Sequence, residues 1–124
     1  MEIRVYYEDT DAEGVVYYAN YLKFIERARS QIFFDAGMSP HTDEGFFVVR
    51  RVEADYLASA RLGEVLNITS RVESMRAASF SVIQEVFRGE EKLFSARVHL
   101  AYLNPEYKPT RMPGELRAFL EKEF

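Results

Sequence analysis

Apolar residues recur along this chain with two different periods, and the switches between them mark out the elements. In residues 2–7 (Glu-Ile-Arg-Val-Tyr-Tyr), Ile3 and Val5 alternate with polar neighbours, which predicts a first strand. Residues 8–14 (Glu-Asp-Thr-Asp-Ala-Glu-Gly) carry no apolar period and read as a loop. From Tyr18 the step lengthens. Tyr18, Tyr21, Leu22, Ile25, Ala28, Ile32 and Ala36 follow three- and four-residue spacings, the stripe of an amphipathic helix of about 18 residues, roughly 27 Å long. Phe24 and Phe33 widen its apolar surface beyond one stripe, so the helix is expected to be wrapped rather than laid on a surface. Gly37 stands where a left-handed residue commonly ends a helix.

Residues 38–45 read as a loop by composition, and four strand-like runs follow. Phe46 to Tyr56 begins as a continuous apolar run and then alternates. Val65 to Val72 alternates through Leu66, Ile68 and Val72, Phe80 to Phe87 puts Phe80, Val82 and Val86 on one side, and Leu93 to Leu103 alternates most cleanly. The connections are too short for helical crossovers, so sequential strands should pair antiparallel, with a hairpin turn over residues 88–92. Beyond Pro113, Leu116, Phe119 and Leu120 share the face of a short final helix. One strand, a long apolar helix, four antiparallel strands and a short helix make an α+β domain. A single curved sheet can bury such a helix against its concave face.

Length and composition change this picture little. The 124 residues suit one domain, residues 1–124, and the 48 % hydrophobic content, with ten Phe and eight Tyr, is enough for an ordinary core. The net charge of −4 argues against a duplex nucleic-acid binder. There is no cysteine, so thiolate catalysis and Cys-based metal sites are absent. Residues 1–5 lack the basic and apolar regions of a signal peptide, and no stretch approaches the ~20 apolar residues of a membrane span. The expected location is therefore cytoplasmic, without membrane insertion.

Most familiar active sites can be struck out. No G-x-S-x-G elbow, H-E-x-x-H pair or phosphate loop is present, and the two histidines, His41 and His99, belong to no His/Asp cluster and read as loop or strand-surface residues. What remains is the carboxylate-rich loop feeding the long helix. The first amides of a helix lack intrahelical acceptors, and the dipole there favours negative charge. A thioester carbonyl set against them would have its developing oxyanion stabilised. Asp11, on the connecting loop, could face them as nucleophile or as general base towards water. Gly14 would let the backbone approach a ligand closely. On spacing alone, Asp9, Thr10 and Asp11 could equally serve as turn and helix-start caps.

The run from Val5 to Arg29, Val-Tyr-Tyr-Glu-Asp-Thr-Asp-Ala-Glu-Gly-Val-Val-Tyr-Tyr-Ala-Asn-Tyr-Leu-Lys-Phe-Ile-Glu-Arg-Ala-Arg, resembles the signature of the 4-hydroxybenzoyl-CoA thioesterase family. It is most similar to the acyl-CoA thioesterase branch associated with the bacterial Tol–Pal system. The likeness continues through Phe47-Val-Val-Arg50, Tyr56-Leu-Ala-Ser-Ala-Arg61, Ser74-Met-Arg76 and Lys108-Pro109. The resemblance implies a hotdog fold, an antiparallel five-stranded sheet around a long central helix. It also implies dimers or tetramers with sites at subunit interfaces, an acyl-CoA substrate, and no metal or organic cofactor. By position, Asp11 matches the family's D-x-x-G carboxylate, and Tyr18 matches the residue whose backbone N–H polarises the thioester carbonyl.

Two positions depart from the branch: Tyr18 stands where His is common, and Ser59 where Pro is common. Val15 and Tyr17 are the neighbouring substrate-site candidates, with Tyr7 as a further possible wall. Arg61 and Arg76, both between strands, are candidates for the CoA phosphates. Glu26 is a rival carboxylate on the central helix, read here as structural and paired with an Arg, while Glu13 is read as solvated. The expected reaction is hydrolysis of a small or medium acyl-CoA to free acid and CoA. A non-catalytic acyl-thioester binder or adaptor of a membrane-associated assembly would share the fold. A hotdog dehydratase would need a His in the signature loop, and none is there.

Overall fold

The computed structural model describes all 124 residues. In chain order the elements are β1 (Glu2–Arg4), a 3-10 turn (Tyr7–Asp9), α1 (Asn20–Asp35), β2 (Phe46–Tyr56), β3 (Val65–Met75), β4 (Ser79–Arg88), β5 (Glu91–Leu103) and α2 (Gly114–Glu123). The strands form one five-stranded antiparallel sheet in the order β1-β3-β4-β5-β2. Register irregularities at Val49/Arg51, Val72/Ser74 and Val86/Phe87 interrupt the three long ladders. Such bulges increase local twist and bend, which lets a sheet curl around a helix. The fold is the hotdog fold.

The sheet's inner face takes every second residue along each run between the irregularities. Leu66 and Ile68 of β3, Phe80, Val82 and Val86 of β4, and Phe94, Ala96, Val98 and Leu100 of β5 are all buried. They meet Tyr21, Phe24, Ile25, Ala28 and Phe33 of α1 in a single core, which Leu120 of α2 closes at one end. Truncating a buried Phe such as Phe24 to Ala would cost about 3–5 kcal/mol.

One polar group crosses this core. Gln84 of β4, with no solvent exposure, donates from Nε2 to the Ile25 carbonyl (2.8 Å) and to Ser70 Oγ (2.9 Å), while its Oε1 accepts from Arg29 Nη1 (2.8 Å). Burial pulls the Arg29 guanidinium below its ordinary pKa. Glu26 forms no ion pair with an Arg, contrary to the sequence reading; its carboxylate accepts the Ser30 hydroxyl at 3.0 Å, one turn along α1.

Three boundaries differ from the periodicity, each for a local reason. β1 stops at Arg4, although Val5 is fully buried. The Asp9 carboxylate takes the Tyr6 N–H (2.9 Å) and curls the chain into the 3-10 turn, leaving Tyr6 and Tyr7 exposed. α1 starts at Asn20 rather than Tyr18, because Asn20 N–H bonds the Tyr17 carbonyl in a tight turn that precedes the helix. At its other end, Gly37 adopts φ 72°, with Met38 N–H on the Phe33 carbonyl and Gly37 N–H on the Phe34 carbonyl. That is the Schellman termination, and it stops α1 at Asp35.

Candidate active site

The acidic loop is a small hairpin rather than a slack connection. Asp11 N–H bonds the Val15 carbonyl (2.9 Å), Gly14 N–H bonds the Asp11 carbonyl (3.1 Å), and Tyr17 N–H closes the structure on the Asp9 carbonyl (2.8 Å). Gly14 makes this possible with φ 79°, a left-handed conformation. A Cβ there would meet no protein atom within 4 Å, so the turn, and not crowding by the chain, is what calls for glycine. The connection between β2 and β3 braces the outer side: Val16 N–H bonds the Ala60 carbonyl, Leu62 N–H bonds the Gly14 carbonyl, and Val15 bridges to Arg61.

Asp9 joins this loop to the central helix. Its buried carboxylate accepts the Tyr6 N–H through Oδ2 and the side-chain amide of buried Asn20 through Oδ1 (3.1 Å). The start of α1 is therefore fixed against the loop that carries Asp11. Asp11 itself is exposed, and its Oδ1 accepts the Glu13 N–H (2.8 Å). The turn-capping role that spacing suggested is thus real for one oxygen, and the other makes no hydrogen bond within the chain.

Asp11 shares a cleft of about 410 Å³ with Tyr18. Its other walls include Val15, Tyr21, Tyr56 and Leu57. Tyr18 occupies the tight turn just before α1, and its N–H has no acceptor within the chain. The Tyr17–Tyr18 peptide is fixed through its carbonyl, which receives the Asn20 N–H at 2.8 Å. In a trans peptide the N–H points opposite to the carbonyl, so this bond also directs the Tyr18 N–H away from the helix. A free amide at the positive end of a 16-residue helix suits a developing oxyanion.

The back of the cleft is aromatic. Tyr21 stacks on Phe94 (centroids 5.0 Å) and accepts the Ala60 N–H on its hydroxyl (3.0 Å), while Tyr56 meets Phe94 edge-on. Burial raises the pKa of both phenols above their ordinary value.

The remaining candidates divide. Val15 lines the cleft, whereas Gly14, Tyr17 and Arg61 do not, although Arg61 adjoins Val15 through the backbone. Tyr17 is exposed, with its ring 4.9 Å from that of Tyr18. Arg76 lies in the β3–β4 turn beside a second cavity of about 460 Å³ that also contains Arg50, Arg51 and His99. The whole of β3, roughly 35 Å at about 3.3 Å per residue, separates it from the Arg61 end. One chain therefore does not bring the two arginines together. His99 bonds Glu53 (2.9 Å) and His41 stacks on Phe46, both outside the Asp11 cleft. Sequence reasoning read Asp9 only as a cap and Tyr21 only as part of the helical stripe, and it missed the Asp9–Asn20, Tyr21–Ala60 and Tyr56–Tyr18 bonds, which join distant segments.

The thioesterase superfamily profile matches residues 13–95, and the chain belongs to that superfamily of thioester hydrolases. It is 40 % identical to the acyl-CoA thioesterase YbgC of Helicobacter pylori, over 97 % of this chain and 98 % of that protein. It is 38 % identical to the acyl-CoA thioester hydrolase YbgC of Escherichia coli, over 94 % of this chain and 90 % of the relative. Among solved structures, a probable thioesterase from Bartonella henselae superposes with a TM-score of 0.85 at 38 % identity, covering 91 % of this chain and 97 % of the other.

Proposed function

We propose that this chain hydrolyses a small or medium acyl-CoA to a free acid and CoA, with Asp11 and the Tyr18 amide as its reacting groups. The supporting observation is that one cleft holds a carboxylate oxygen without a protein partner and an N–H without a protein acceptor. Asp11 takes a proton from the water that attacks the thioester carbonyl, or attacks it directly to form an acyl-Asp11 anhydride, which water then hydrolyses to the free acid and the Asp11 carboxylate. The carbonyl oxygen gains charge against the Tyr18 N–H, the C–S bond breaks, and the CoA thiolate leaves to be protonated. Tyr18 acts through its backbone, so the phenol in place of an imidazole leaves the reaction intact.

The acyl group sits against Val15, Tyr21 and Tyr56, with Gly14 and Tyr17 shaping the entrance. The CoA phosphates meet Arg61 of one copy and Arg76 of another, in a cytoplasmic dimer or dimer of dimers. Three features favour a second copy: the long edge strand β2, the exposed Leu22, Val49 and Val52 beside it, and the separation of the two arginines.

The test is thiol release from benzoyl-, butanoyl-, hexanoyl- and palmitoyl-CoA by the wild-type protein. Turnover of at least one ester is expected. Tight binding of the esters without any release would replace hydrolysis with a binding role.

A further inference from the structure

The turn that carries the free Tyr18 amide is held from a distance by a strand residue. Asn20 N–H bonds the Tyr17 carbonyl, which makes Tyr18 and Ala19 the central pair of a β-turn. Ala19 has φ −70° and ψ −20°, as in a type I turn, so Tyr18 is also near the right-handed helical conformation. Successive N–H groups then point to the same side. Neither the Tyr18 nor the Ala19 N–H has an acceptor within the chain.

Each of these two peptides is pinned through its carbonyl. The first is pinned by Asn20 N–H, from within the turn. The second, Tyr18–Ala19, is pinned by the hydroxyl of Tyr56, which donates to the Tyr18 carbonyl at 3.0 Å from 38 residues away. Tyr56 stands at the end of β2, and its own ring is fixed by edge contacts with Tyr21 (5.7 Å), Phe94 (5.0 Å) and Tyr18 (6.2 Å). A phenol's ordinary pKa of 10.0, which burial raises further here, leaves the donating proton in place at neutral pH.

We propose that Tyr56 is a positioning residue for hydrolysis: its hydroxyl fixes the Tyr18–Ala19 peptide and so holds the amide turn aimed at the thioester oxygen. A full flip of that peptide would give a type II turn, which needs positive φ at Ala19 and is already disfavoured by its side chain. What Tyr56 removes is the smaller tilting that would spoil oxyanion geometry. The inference rests on the thioesterase reading above.

Tyr56→Phe deletes one oxygen from a half-exposed ring, so folding is retained. With hexanoyl- and benzoyl-CoA, its kcat should fall about five- to tenfold while KM stays within about twofold. A second readout uses the same esters labelled with 13C at the thioester carbonyl and bound to Asp11→Asn. Their infrared carbonyl band should lie below that of the free ester, and adding Tyr56→Phe should move it back towards the free value. An unchanged kcat, a loss confined to KM, or an unmoved band would overturn the role of Tyr56. Wild type and Asp11→Asn separate this from the parent reading. If wild type releases no CoA, hydrolysis falls and Tyr56 with it. If Asp11→Asn matches wild type, Asp11 loses its role while the Tyr56 comparison still decides.

Discussion

Replacing Asp9 should weaken both the fold and the site, and the size of the effect can be worked from its two side-chain bonds. The carboxylate of this buried residue receives the Tyr6 N–H at 2.9 Å and the Asn20 amide at 3.1 Å. Hydrogen bonds to a charged acceptor contribute about 1.5–3 kcal/mol each. The bond from the Tyr6 N–H is part-buried beside an exposed side chain, so water replaces part of it in Asp9→Ala. Asn20 is only 7 % exposed, and its amide is left without a partner. Relief of carboxylate desolvation offsets part of this. A net destabilisation of about 2–3 kcal/mol is expected.

Asp9→Asn should cost roughly half as much. If the Asn20 amide rotates by a half-turn, the new side chain can accept from Tyr6 and donate to Asn20, replacing charged bonds with neutral ones worth about 1 kcal/mol. Urea unfolding followed by circular dichroism at fixed protein concentration gives both values. Thiol-release kinetics should show Asp9→Ala losing kcat even where it is fully folded, since the Asp11 loop is no longer tied to α1. An Asp9→Ala protein as stable as wild type within about 0.5 kcal/mol, or one less disturbed than Asp9→Asn, would refute the reasoning.

Other substitutions probe separate parts of the fold. A Cβ at Gly45 would lie 2.5 Å from the Leu103 carbonyl oxygen and 2.6 Å from the Tyr102 ring, so Gly45→Ala should lower stability by about 1–3 kcal/mol in the same unfolding assay. Gln84→Met nearly conserves volume but strands Arg29 and Ser70, and should cost about 2–3 kcal/mol. Glu73 accepts two hydrogen bonds from the Arg97 guanidinium, which together with the charge of Arg97 hold its carboxyl below the ordinary value of 4.5. The folded state then binds that proton more weakly than the unfolded chain, so the stabilisation is present above the unfolded pKa and lost as pH falls through the folded one. The thermal midpoints of wild type and Glu73→Gln should differ at neutral pH and converge below the ordinary carboxylate range.

Much of the fold was legible in the sequence because it depends on local period. The three- and four-residue stripe from Tyr21 to Ile32 is α1, and the Phe46–Tyr56 alternation coincides with β2. Period failed where a polar side chain redirected the backbone. Val5 continues the apolar alternation but leaves the strand, because Asp9 reclaims the next amide. Tyr18 fits the helical stripe but sits in the preceding turn. The charge pattern suggested an Arg partner for Glu26, while Arg29 instead follows a neutral amide across the core.

The candidate site was legible in a different way. Asp11 and Tyr18 came from the likeness of a long signature, since loop composition alone allowed a capping role, and one Asp11 oxygen does cap Glu13. The groups that hold the pair in place were hidden. Asp9 to Asn20 spans 11 residues and Tyr56 to Tyr18 spans 38, and no local period encodes either contact.

The central claim is tested most directly by the thiol-release kcat/KM of Asp11→Asn against wild type on the best ester of the panel, with the affinity of each protein for that ester measured alongside. Removing the carboxylate should lower kcat/KM by about 10²–10⁴-fold while binding stays within a few-fold. An Asp11→Asn protein that turns over like wild type would contradict the assignment.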